Sequence, residues 1–179
     1  MSLALIIVII IVGIILLFLL IAAVSEKDYS IPRQIDIDAP KQKVFDYVKM
    51  LKNQDYYNKW VMTDPQMKKA FTGTDGEPGF IYAWNGNKKA GEGEQEITTV
   101  NPGVNMVSEV RFVRPFPGIS ILDMATEAIG DNKTRIHWST GSRMKFPMNA
   151  MLPMIKKMLA KDMDTSLNNL KSILEDQQA

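Results

Sequence analysis

The sequence contains no cysteine, a single histidine (His137) and, in its first 24 residues, no Asp, Glu, Lys or Arg. Without thiols, disulfide frameworks, thiolate metal sites and cysteine nucleophiles are excluded. One imidazole per chain excludes multi-histidine metal sites within one molecule. An excess of either charge is also missing, since 21 basic and 20 acidic residues leave +1. The concentrated basic surface that follows nucleic-acid phosphates is therefore absent, and no nucleic-acid partner is expected. No EF-hand pattern of oxygen ligands occurs, and neither a metal nor another cofactor is expected.

What the chain has is an apolar run, Leu3 to Val24, built almost wholly of Leu, Ile, Val, Phe and Ala. About 20 such residues cross a hydrocarbon core as a helix, and a helix satisfies its own backbone there. A signal peptide would need a basic start and a shorter apolar stretch of about 7–15 residues. Residues 1–24 are accordingly expected to form a single-pass transmembrane anchor and residues 25–30 a polar tether, followed by one domain over 31–179. Lys27, Arg33, Lys41 and Lys43 follow the span with no side-chain cation before it, which by the positive-inside rule favours a cytoplasmic domain.

In the domain, Ile31, Ile35 and Ile37 alternate with polar residues as in a strand. Asp38-Ala39-Pro40 then opens a helix carrying Val44, Phe45, Val48 and Leu51. A short aromatic helix is expected at residues 53–60. Six strands follow, near 67–72, 80–84, 91–100, 104–113, 119–129 and 134–144, divided by turn sequences such as Asn85-Gly86-Asn87 and Gly130-Asp131-Asn132. Short connections make consecutive strands antiparallel. From Pro147 the apolar period changes to three and four, predicting one long amphipathic helix with Pro153 marking a kink or restart near its beginning.

This order resembles the START-like, helix-grip superfamily in its polyketide cyclase/dehydrase (SRPBCC) branch, over about residues 29–176. The resemblance is carried by Ile35-Asp36-Ile37-Asp38-Ala39-Pro40 with Val44-Phe45-Asp46-Tyr47-Val48, and by Trp84 before Gly86. Gly91-Glu92-Gly93, Phe112 with Arg114-Pro115-Phe116, Thr134-Arg135-Ile136-His137-Trp138 and Leu167-Asn168-Asn169-Leu170-Lys171 complete it. It implies an α+β fold in which a curved antiparallel sheet of about six or seven strands wraps a long C-terminal helix. It also implies a small hydrophobic or amphipathic ligand between sheet and helix, and some members of the superfamily are enzymes.

Strand alternation independently assigns an inward face. Phe80, Tyr82 and Trp84 share it with Met106, Ser108 and Phe112, with Met124, and with Trp138 and Thr140. Trp60 from the short helix and Met151, Met154 and Met158 from the long one are expected to complete the lining. Methionine adapts to guests of imprecise shape, although filling an irregular core is its commoner use. For catalysis, parity puts His137 on the outer face, and Glu92, Glu94 and Glu96 read as a solvated row. No catalytic residue is assigned; Asp64, Arg143 and Lys145 are the polar groups nearest a possible mouth. Three functions stay compatible with these residues: a membrane-tethered binder of a lipid or polyketide-like molecule, a cyclase- or dehydratase-type enzyme using the same cavity, and a protein-interaction module docking through the Met-rich helix.

Overall fold

A computed structural model describes residues 2–176; Met1 and 177–179, assigned above to the anchor and the domain, lie outside the described residues. Helix α1 (Leu3–Val24) precedes β1 (Asp28–Ile37), α2 (Lys41–Val48) and α3 (Gln54–Tyr57). Six strands follow: β2 (Lys68–Thr72), β3 (Ile81–Asn85), β4 (Glu92–Asn101), β5 (Asn105–Arg114), β6 (Gly118–Gly130) and β7 (Lys133–Arg143). A 3-10 turn at Met148–Met151 then leads into α4 (Leu152–Asp176). Pro153 thus restarts rather than kinks the helix, sitting in its first turn where its missing N–H has no partner to lose.

The strands form one antiparallel sheet in the order β1-β7-β6-β5-β4-β3-β2. From β2 to β7 it is a meander, as the turn sequences predict. β1 closes against β7, with Ile35 opposite Ile136, so the two ends of the domain meet. Register shifts at Glu92/Gly93 and Ile97/Thr99 in the β4–β5 ladder, and at Ala128/Gly130 in β6–β7, bend the sheet as β-bulges do. The resulting concave face receives α4, whose Met163, Leu167, Leu170 and Leu174 are fully or almost fully buried. α2 adds Val44 and Val48 to the same core. The fold is the helix-grip arrangement expected from the sequence.

Among the described residues, α1 is a helix long and apolar enough to cross a membrane, and only its Ala22 is buried. At about 1.5 Å per residue, its 22 residues reach about 33 Å, against a hydrocarbon core of about 30 Å.

Candidate functional site in the concave face

The concave face is aromatic and Met-rich, with one polar thread through it. Met106, Met124, Phe80, Tyr82 and Trp138 are buried, together with Ser108. Trp60 and Trp84 pack against them half-buried. Trp60 stands edge-on to Trp138 at 6.1 Å, and Trp84 edge-on to Phe112 at 6.2 Å.

The thread begins on α3. Asn58 Nδ2 donates to Gln54 Oε1 at 2.8 Å, Gln54 Nε2 to Gln95 Oε1 at 3.0 Å, and Gln95 Nε2 to Ser108 Oγ at 2.8 Å. All four side chains are buried, so each amide dipole holds the next where water does not compete. Gln95 lies on the buried row of β4, between Gly93 and Ile97. Gln54 and Asn58 gave only an i, i+4 spacing that the sequence reading did not use.

Two tyrosines are held in the neutral form. Burial pushes the Tyr57 hydroxyl well above its ordinary pKa, with Met124 Sδ at 4.0 Å as its partner. Burial, then the Asp55 carboxylate, pushes Tyr82 up as well. Tyr82 Oη donates to Asp55 Oδ1 at 2.6 Å, and Lys69 Nζ pairs with Asp55 Oδ2 at 2.7 Å. Trp138 is different: among the described residues its buried indole N–H has no hydrogen-bond partner. That costs free energy unless an acceptor meets it.

The face opens at one end. Phe112, on the inward row of β5, is 41% exposed. Thr140 is half-buried on β7, in register with Ser108 across Leu122, its hydroxyl 2.9 Å from Ser120 Oγ. Met151 is half-buried in the 3-10 turn ahead of α4. Met154 and Met158 do not join the lining; they are 61% and 55% exposed, which corrects the helix face assigned to them from the sequence. At about 100° per residue they fall about 180° and about 140° from Met163 on the helix. The start of α4 is apolar nearly all round, so spacing alone could not separate its faces.

The deep part of the grip is packed with side chains. Two hollows stand out on the described surface, and both are open grooves outside the grip. One of about 480 Å³ is lined by Pro32, Arg33, Gln34, His137 and Asp164. Another of about 340 Å³ runs over β2 to β5, lined mainly by outward residues such as Ala83, Glu94 and Arg111.

The candidate acids and bases sit elsewhere. His137 lies 3.2 Å from Glu127 on the outer face. Glu94, Glu96 and Glu109 surround Arg111 at 2.7–2.8 Å, and Glu92 pairs with Arg114. Asp64 accepts the Asn87 N–H at 2.7 Å, fixing the β3–β4 turn. Arg143 lies 3.5 Å from Asp28, and Lys145 is exposed in the loop after β7. Among the described residues no three His, Asp or Glu side chains cluster to hold a metal.

The decisive comparison is with a family profile, polyketide cyclase / dehydrase and lipid transport, which matches residues 29–175. The chain belongs to this family. Solved structures share its fold at low identity. Norcoclaurine synthase from Thalictrum flavum, in complex with dopamine and hydroxybenzaldehyde, is 16% identical with a TM-score of 0.62, covering 87% of this chain and 91% of that one. The Aha1 dimer from Colwellia psychrerythraea is 14% identical with a TM-score of 0.57, covering 82% and 96%. A protein from Chromobacterium violaceum is 12% identical with a TM-score of 0.59, covering 82% and 96%. No match was found among curated proteins. In family terms, the concave face is the shared scaffold, whereas the Asn58–Gln54–Gln95–Ser108 thread is read from this chain alone.

Proposed function

We propose that this chain is a membrane-tethered binder of a small apolar or amphipathic molecule, held between the concave face and α4. One observation carries the reading: a buried, unpartnered indole N–H at Trp138 among Met and aromatic side chains, behind a face that opens at Phe112. Such sites are mostly apolar with a few placed polar groups. A guest with one acceptor oxygen would satisfy Trp138, and its apolar surface would gain about 25 cal/mol per Å² buried, before ordering costs. Room would come from rotation of Met106, Met124 and Met163, whose unbranched side chains repack readily. The anchor would hold the site beside a lipid source. The enzyme reading has less support, because His137, Glu109 and Asp64 are all engaged away from the concave face.

The test is gentle extraction of the full chain followed by mass spectrometry of co-purifying small molecules. A bound apolar compound bearing an acceptor oxygen is expected, with reduced retention in Trp138→Phe. Recovery of an empty protein that takes up no apolar probe would overturn the reading.

A further inference from the structure

The strand ends form two rims, and the rims differ in charge. One rim gathers the exit of α1 with loops 25–27, 64–67, 86–91, 115–117 and 144–147; the other gathers loops 38–40, 73–80, 102–104 and 131–132. The first set carries Lys27, Lys88, Lys89 and Lys145 against Glu26 and Asp64. The second carries Asp38, Asp75, Glu77 and Asp131, with no Lys or Arg. Both acids of the first rim are engaged, Glu26 by Lys156 at 2.9 Å and Asp64 by the Asn87 N–H at 2.7 Å.

The basic rim is also the apolar one. Phe116 is 72% exposed, Phe146 51% and Met148 41%. Asn149 ties this rim to the anchor: its buried side-chain amide donates to Ala22 O at 2.6 Å and to Ser25 O at 3.1 Å. Ala22 is itself fully buried. The last carbonyls of a helix have no partner in a following turn, so Asn149 acts as a cap supplied by the domain. A span that ends at Val24 brings Ser25 to headgroup level, and Asn149 holds the rim there.

We propose that this rim docks on the bilayer that holds the anchor. Phe116, Phe146 and Met148 enter the boundary between headgroups and acyl chains, while Lys88, Lys89 and Lys145 meet anionic headgroups. Apolar side chains gain free energy by leaving water at that depth, and clustered cations are drawn to the negative surface. The docking rests on α1 being a membrane span. It turns the open end of the concave face, at Phe112, toward lipid, so that a guest passes between bilayer and grip without crossing bulk water.

The absence of native cysteine makes single-site labelling direct. Full-length Ile10→Cys, Phe116→Cys, Phe146→Cys and Asp131→Cys variants, each carrying a bimane label, are placed in phosphatidylcholine nanodiscs with and without phosphatidylglycerol. Lipids bearing a doxyl quencher report contact with the bilayer. Labels at 10, 116 and 146 are expected to be quenched several-fold more than the label at 131, and quenching at 116 and 146 should rise with phosphatidylglycerol. If position 10 is quenched while 116 and 146 behave like 131, docking is overturned and the anchor stands. If position 10 is not quenched, the anchor reading itself fails and the docking with it. Shielding of 116 and 146 from aqueous iodide without doxyl quenching would assign the rim to a second copy of the chain and also overturn the proposal.

Discussion

Gln54 and Gln95, 41 residues apart, meet side chain to side chain at 3.0 Å inside the core. This single contact ties the short helix α3 to the middle of the sheet. The direction of each amide is set from the α3 end: the Trp60 N–H donates to Asn58 Oδ1 at 3.0 Å, so Asn58 Nδ2 donates to Gln54, and Gln54 Nε2 to Gln95. Replacing Gln95 by Ala leaves the Gln54 amide and the Ser108 hydroxyl without their shared partner. A loss of about 1–3 kcal/mol per unsatisfied buried group is expected, read by urea denaturation. The double variant Gln54→Ala/Gln95→Ala should cost less than the sum of the singles, since the two act as one unit.

Trp138 offers a contrast between volume and polarity. Trp138→Ala opens a cavity in the grip and should cost about 3–5 kcal/mol. Trp138→Phe keeps much of the ring while removing the unpartnered N–H, so a change under about 1.5 kcal/mol is expected. Thermal and denaturant unfolding of the two variants check the difference.

Gly93 sits where the sheet bends and where Trp84 lies closest. A Cβ there would meet Arg111 O at 2.6 Å and the Trp84 ring at 2.8 Å. Gly93→Ala is therefore expected to destabilise by about 1–3 kcal/mol through overpacking. Trp84 fluorescence should shift with it, as the ring is displaced from Phe112.

Arg135 donates to both carboxylate oxygens of Asp36, at 2.7 and 2.9 Å, and this holds the Asp36 carboxyl below the usual carboxylate range. A depressed folded-state pKa adds stability that is full above the unfolded value of about 3.9 and is lost as pH falls through the folded one. The β1–β7 seam should thus weaken in acid. Asp36→Asn should flatten the acid limb of the stability profile while lowering stability at neutral pH, measured by denaturation at stepped pH.

Much of the fold was legible because its punctuation is chemical. Asn85-Gly86-Asn87 and Gly130-Asp131-Asn132 end strands where predicted, to within about a residue or two, and alternation put Tyr82, Met106, Ser108, Met124 and Trp138 on the buried side. The helix face was not legible at Met154 and Met158, where apolar residues surround the start of α4. Nor does periodicity carry volume: alternation says that Trp138 and Met106 point inward, not whether they leave space between them. Partners far apart in sequence were invisible for the same reason, as with Asn149 and Ala22, 127 residues apart, or Asp55 and Tyr82.

The sheet stops at β2, a strand of five residues that opens with Lys68-Lys69, while at its other border α4 reaches β1 through Lys171 on Asp36 O and Asp164 on Arg33. Under the proposal that α1 holds the chain in a membrane, copies crowd together in two dimensions, where an open β-border invites ladder growth from one molecule into the next. So brief a border, with a charged ammonium at its start, offers a poor template for such stacking. Molecules packed side by side should stay separate folded bodies.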